Sequence, residues 1–170
     1  MKRVMKGLHT FGSIGMMGGY LAFLVLLYAA EARPPAEALV LREAIGRLFV
    51  ALIIPSVAVA LVTGLLAMAL HRAFINAGWA WLKLSTTVVA LEGSFGMQAR
   101  AREVEALVRA LARGEGDAGG LAELAGREKG GLAMLLVIAA ANVVLGVWRP
   151  KLRRPGGRPE IGAAPATSED

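Results

Sequence analysis

The sequence predicts an all-α integral membrane protein: a four-helix bundle with an amphipathic helix between the third and fourth membrane helices. Three observations predict this class. Hydrophobic residues make up 56% of the 170 residues, which is high for a soluble domain of this length. Several apolar segments are long enough to cross about 30 Å of hydrocarbon, which takes roughly 20 helical residues. The chain has no cysteine, which excludes disulfides, thiolate metal sites and a thiol nucleophile.

Hydropathy places the membrane helices in four segments of the chain. They are residues 8–30, 47–70, 79–98 and 130–148. Basic residues before the first apolar run are also typical of a signal peptide, but this run is longer than a signal core. We therefore expect the first helix to stay in the mature protein.

The third predicted helix, residues 79–98, is the least apolar because it contains Lys83, Glu92 and a run of hydroxyl side chains. Such a helix cannot face lipid on all sides, so we expect it to pack inside the bundle and to carry function. At mid-membrane depth, Glu92 is expected either to be protonated and hydrogen-bonded to Asn142 or Ser85, or to take part in a proton path.

The connections differ in length. Residues 31–46 and 71–78 are expected to link the first three helices, the second link being a tight turn. Residues 99–113 place apolar side chains at i, i+3, i+4 and i+7 with charges opposite, which predicts an amphipathic helix that either stands alone or continues the third membrane helix. Glycines break this pattern in residues 114–129 before the fourth helix begins.

The chain divides into a transmembrane domain, residues 1–150, and a Gly/Pro/Ala-rich tail, residues 151–170, that is expected to be disordered. Basic residues precede the first helix and follow the last, and the positive-inside rule places both termini in the cytoplasm. The basic tail lacks the interleaved aromatic residues of nucleic-acid-binding segments, so we expect no nucleic-acid partner. The expected partner is the lipid bilayer, and a homo-oligomer or a membrane partner subunit stays open.

His9 is the main candidate for a functional residue, because ionisable side chains within apolar spans usually mark functional sites. The glycines around it permit either close packing of another helix or a flat cofactor laid against the backbone. With both termini on one side, the first and third helices start and the second and fourth helices end at one membrane face. The residues expected at similar depth there are His9, His71, Arg72, Trp79, Trp81, Lys83 and Trp148. His71 is interpreted as an interfacial basic residue without a ligand role.

Three short patterns in the first 98 residues resemble those of a superfamily of small bacterial membrane proteins. They are Leu8-His9, Gly12 and Gly18-Gly19 in the first helix, Thr63-Gly64 in the second, and Trp79 and Trp81-Leu82-Lys83 in the third. The superfamily includes the membrane domain of copper-resistance protein D, the haem-dependent four-helix protoporphyrinogen oxidase and an uncharacterised integral-membrane family. The resemblance to this last family is the greatest, and it implies a bacterial inner-membrane location.

In the haem-dependent oxidase, the histidine of the first helix and the lysine of the third are essential, and the histidine is implicated in haem b binding. The resemblance therefore implies a haem b site in which His9 is the cofactor and metal ligand. It gives Lys83 a catalytic role, pairing with a propionate or a substrate carboxylate. Glu92 has no counterpart in the family and is the candidate for assisting proton movement. Met16 replaces a common aromatic residue and further histidines of the oxidase are missing, so the resemblance does not extend to the oxidase reaction.

Two alternatives to a haem-linked redox function stay open. The first is a cofactor-free scaffold or accessory subunit, in which the glycine-rich first helix and residues 99–113 dock partners. The second is copper transport, since methionine can ligate Cu(I), although the methionines here are scattered as in ordinary helical cores.

Overall fold

The computed structural model describes residues 2–148, and the tail predicted to be disordered lies outside this range. The described chain is all-α, with four long helices and no strand within it. Three helical stretches are long and apolar enough to span a membrane: Arg3–Glu31, Pro35–Leu70 and Ala118–Trp148. The fourth, Gly78–Ala112, is 35 residues long but more polar, as the sequence predicted. The predicted fold class is confirmed.

The helices are named in chain order. They are α1 (Lys2–Glu31), α2 (Pro35–Leu48), α3 (Ile54–Leu70), α4 (Arg72–Ile75), α5 (Gly78–Ala112) and α6 (Ala118–Trp148). A π-helical turn, Phe49–Ile53, joins α2 to α3 without a break. Pro55 accounts for this turn, because proline has no N–H for the i−4 carbonyl, and the N–H of Ile54 binds the carbonyl of Phe49 five residues back.

The link expected over residues 31–46 is mostly helical, since α2 begins at Pro35. Proline is favoured in the first turn of a helix, where its missing N–H costs nothing, and good helix formers follow it. The amphipathic residues 99–113 are not a separate helix: all but the last continue the third membrane helix as α5. The second and third predicted helices therefore both extend well beyond the expected apolar segments.

The fourth helix begins at Ala118 instead of residue 130. Asp117 caps it, because the carboxylate accepts hydrogen bonds from the N–H groups of Gly119 (2.8 Å) and Gly120 (2.9 Å). The hairpin between α5 and α6 is therefore short, and its tight turn uses positive φ angles at Gly114 and Gly116 that favour glycine.

Most of the apolar core lies along the middle of the bundle, where α1 packs against α3 and α5 packs against α6. Tyr20 and Phe23 of α1 are fully buried, and the ring of Phe23 meets that of Phe49 edge to face at 5.2 Å. The hydroxyl groups of Tyr20 and Ser94 are hydrogen-bonded at 2.7 Å, which links α1 to α5. These two helix pairs, joined by the hydrogen bond between Tyr20 and Ser94, form the centre of the bundle.

A smaller apolar cluster lies where α2, α5 and α6 extend beyond the main core. Its fully buried members are Ala30, Ala38, Val104 and Val108. The two valines belong to the predicted apolar face of residues 99–113, so that face packs within the chain.

Candidate cofactor site at one end of the bundle

A cavity of about 730 Å³ lies where α1 and α5 begin and α3 and α6 end. Its volume is within the range of small-molecule and cofactor sites, roughly 300–1,000 Å³. His9, His71, Trp79 and Lys83 all line it, so the predicted convergence is confirmed for these four side chains. Trp81 and Trp148, expected at the same depth, are exposed and do not line the cavity. We call this volume the histidine cavity.

The ring of His9 is held by α3. Its Nδ1 lies 3.0 Å from the carbonyl oxygen of Ala60 and 3.1 Å from Oγ1 of Thr63. A carbonyl only accepts, so Nδ1 carries the proton and donates it. The hydroxyl of Thr63 donates to the carbonyl of Val59 at 2.6 Å, which leaves its lone pairs free to accept from His9. In the neutral ring, Nε2 then has a lone pair and can bind a metal or accept a proton.

Lys83 enters the same cavity from the first turns of α5 and is half-buried. Its Nζ lies 3.0 Å from the position that a Cβ at Gly146 would occupy. The missing side chain at Gly146 thus leaves room for the ammonium beside α6. A primary ammonium at this depth is suited to pair with a carboxylate or a phosphate.

An aromatic row forms one wall of the histidine cavity. The ring of Phe74 meets those of His71 and Trp79 edge to face, at centroid distances of 5.8 Å and 5.9 Å. His71 ends α3 with extended backbone angles, and the short α4 turns the chain back toward α5. Sequence reasoning placed His71 at the depth of His9 but gave it no ligand role; in the structure both histidines of the chain line this cavity.

Glu92 does not belong to the cavity lining; its side chain is exposed on the outer surface of α5. Asn142, an expected partner of Glu92, instead has its Oδ1 3.1 Å from Oγ1 of Thr86 and 3.3 Å from Oγ1 of Thr87. The structure therefore brings His9 and Lys83 together and places Glu92 apart from them.

Gly12 and Gly19 of α1 serve helix packing. A Cβ at Gly12 would lie 2.7 Å from the carbonyl oxygen of Ser56 and 2.8 Å from the nitrogen of Ala60, and one at Gly19 would lie 2.6 Å from Ile53. Only glycine permits α1 and α3 to approach this closely. The close approach also sets the register in which His9 meets Ala60.

Within residues 2–148, no group of three or more His, Cys, Asp and Glu side chains is placed to hold a metal ion. The fold and the histidine cavity define the class of the chain: an all-α bundle with membrane-length helices and a largely apolar cavity at one end. Comparisons with protein-family models, with curated proteins and with solved structures found no match.

Proposed function

We propose that the chain is an integral membrane protein that binds haem b in the histidine cavity and serves a redox function. One observation carries the proposal. Five of the residues on which the sequence resemblance rests line this one cavity, although they come from three different helices. They are His9, Thr63, Gly64, Trp79 and Lys83.

The setting of His9 supports a ligand role. Histidines that bind metals typically donate the other ring N–H to a carbonyl or a carboxylate, which fixes the tautomer and the ring orientation. His9 donates from Nδ1 to Ala60 and Thr63, so Nε2 is the nitrogen that would bind the haem iron. Bound haem would supply one-electron redox chemistry, and the chain would tune it through this ligand and its hydrogen bonds.

The rest of the lining suits both the apolar porphyrin ring and the charged propionates of haem. Apolar side chains such as Met5, Leu61 and Met68 would contact the porphyrin ring. Lys83 would bind a propionate or the carboxylate of a substrate at the same site. The residues present therefore fit the group, with His9 as ligand and Lys83 as the carboxylate partner.

We place this protein in the inner membrane of a bacterium with both termini in the cytoplasm. The basic residues in the first turns of α1 and in the sequence after α6 support this orientation. The histidine cavity lies at the end of the bundle where α1 begins and α6 ends, so it would open near the cytoplasmic face.

Absorption spectra test the proposal directly. The protein is expressed with ample haem, purified in detergent and recorded oxidised and dithionite-reduced, beside His9→Ala and His71→Ala variants of equal yield. We expect a haem b Soret band and α band in the wild type, and loss of both bands in His9→Ala. A colourless wild type from haem-replete cells would reject the proposal and favour the cofactor-free scaffold. Bands that survive in His9→Ala but vanish in His71→Ala would show that the ligand is assigned to the wrong histidine.

A further inference from the structure

A second cavity, of about 330 Å³, lies at the opposite end of the bundle, between the end of α1, the first turns of α2 and the first turns of α6. We call it the arginine cavity. Its charged lining consists of Glu31, Arg33, Arg42 and Lys129. This set holds three cations and one carboxylate, so the lining favours an anionic ligand.

Arg42 is the buried member of this set, with 3% of its surface exposed. Its Nη1 lies 2.5 Å from Oε2 of Glu128, which is fully buried. Among the described residues, however, Nε of Arg42 and Oε1 of Glu128 are both buried without a hydrogen-bond partner. A buried donor left unpaired costs about 1–3 kcal/mol. An acceptor bound in the arginine cavity would remove that cost.

The start of α2 adds to the positive potential of the cavity. α2 is 14 residues long, its first residue Pro35 lines the cavity, and its N-cap residue, Pro34, makes no side-chain capping hydrogen bond. Pro34 and Pro35 have no N–H, and the N–H of Glu37 donates to the carbonyl of Pro34, so this helix end contributes through its dipole. The helix dipole and the unpaired guanidinium N–H favour the same kind of ligand.

Two exposed cations complete the site. Arg33 pairs with Glu37 at 3.6 Å and Lys129 pairs with Glu31 at 2.8 Å, and both cations keep about half of their side chains exposed. Exposed ion pairs contribute little, about 0–1 kcal/mol. Arg33 and Lys129 can therefore exchange their carboxylate partners for a better-placed anion at small cost.

The position of the arginine cavity along the bundle suggests where the anion comes from. The α1 segment from His9 to Glu31 covers about 33 Å, and the α6 segment from Lys129 to Gly146 covers about 26 Å. These lengths match the roughly 30 Å of bilayer hydrocarbon. The two cavities thus lie at opposite boundaries of the apolar span, at the depth where phospholipid headgroups are found.

We propose that the arginine cavity binds a phosphate-bearing anion, with Nε of Arg42, Arg33 and Lys129 as its donors. The two sources of such a group at this depth are an anionic phospholipid headgroup and free phosphate. This site is independent of the haem proposal, because it lies at the other end of the bundle and uses none of the same residues.

The test compares two double variants of the full-length protein. Arg33→Gln/Lys129→Gln removes the exposed donors of the cavity. The matched control, Arg47→Gln/Arg127→Gln, removes two exposed cations from α2 and α6 that do not line the cavity. Both variants change the net charge equally and leave the buried pair intact. Native mass spectrometry then measures retention of phosphatidylglycerol against phosphatidylcholine, and thermal unfolding is recorded with and without inorganic phosphate.

We expect Arg33→Gln/Lys129→Gln to retain phosphatidylglycerol about tenfold more weakly, the effect of losing about 1.4 kcal/mol of charge-assisted hydrogen bonding. The control variant should match the wild type. Stabilisation by inorganic phosphate that disappears in the same variant, without preferential lipid retention, would support the site and identify the soluble anion as its ligand. Equal behaviour of the two double variants, or no binding of either anion beyond that of phosphatidylcholine, would overturn the proposal.

A third variant tests the buried donor. Arg42→Lys keeps a positive charge opposite Glu128 but removes Nε, so we expect it to weaken retention of the anion at unchanged yield. Retention equal to that of the wild type would show that Nε is not a donor to the ligand. If Arg42→Lys does not fold, the two double variants still decide the proposal.

Discussion

The two ends of the bundle handle their buried polar groups in different ways. At one end, His9 and Lys83 are half-buried and line a cavity of about 730 Å³. At the other, Arg42 and Glu128 are fully buried and form an ion pair with each other. Removing one residue of the buried ion pair leaves the other charge buried without a counter-charge, whereas shortening a side chain that lines the cavity leaves space. Changes at the ion-pair end should therefore have the larger effect on folding, and changes at the histidine cavity the larger effect on binding.

The largest effect is expected for Arg42→Met. This change leaves Glu128 buried without its counter-charge, which costs about 3–5 kcal/mol in the free energy of unfolding. The double variant Arg42→Met/Glu128→Leu should regain most of that loss, because no charge is then left unpaired. Denaturation in detergent micelles measures both. Arg127→Met, which removes one member of an exposed ion pair on α6, serves as the control and should cost less than about 1 kcal/mol. A double variant as unstable as Arg42→Met would contradict this account of the ion-pair end.

The second effect concerns the contact that positions the histidine cavity. Gly12→Ala would press a Cβ against the backbone of Ser56 and Ala60, and overpacking of this kind costs about 1–3 kcal/mol. Gly18→Ala is the matched control on the same helix, because a Cβ there meets open space. The free energy of unfolding should fall for Gly12→Ala and stay near the wild-type value for Gly18→Ala. Equal stability of the two variants would show that α1 and α3 are less closely packed than described.

A smaller effect is expected for Thr63→Val, which removes one of the two acceptors that hold Nδ1 of His9. The carbonyl of Ala60 remains, so the loss should be that of one hydrogen bond, about 0.5–1.5 kcal/mol. Thr10→Val removes a hydroxyl that bonds only within α1 and is the control. The same unfolding measurement compares them, and a Thr63→Val variant as stable as Thr10→Val would argue against a role in holding His9.

The smallest effect is expected for Glu92→Gln. Glu92 is exposed on α5 and lines neither cavity, so unfolding in micelles and retention of the proposed haem should both match those of the wild type. Loss of either property would show that Glu92 takes part in function after all and would revive the proton path that the sequence suggested.

The convergence of His9, His71 and Lys83 at one end of the bundle could be predicted because chain crossings alone bring these helix ends together. If the first helix starts at one face, the second ends there and the third starts there, whatever the packing in between. The placement of Glu92 could not be derived from its polarity. Thr87, Ala90, Ser94 and Met97 are buried on α5 and are spaced three or four residues apart, so they share one face of the helix. Glu92 lies outside this buried face. That spacing was readable in the sequence, and it is a better guide to the inner face than charge.

The ion pair of Arg42 and Glu128 could not be predicted. Both residues belong to segments that the sequence assigned to connections, and each alone is an ordinary charged residue of a helix surface. Their pairing depends on α2 and α6 both beginning earlier than the apolar runs. Two local signals for those early starts were present, Pro35 in the first turn of α2 and Asp117 as the cap of α6. They would have fixed the helix starts, although not the contact between them.

The short hairpin between α5 and α6 also has a practical consequence. At 35 residues, α5 is about 52 Å long, so its far end extends well past the thickness of a bilayer. Gly114 and Gly116 turn the chain at that end, whereas Lys2 begins α1 at the other. An epitope inserted at residue 115 and one fused ahead of residue 2 would therefore lie on opposite sides of any membrane that the bundle spans. In intact cells, one of the two tags would be labelled and the other protected, whichever way the protein is inserted.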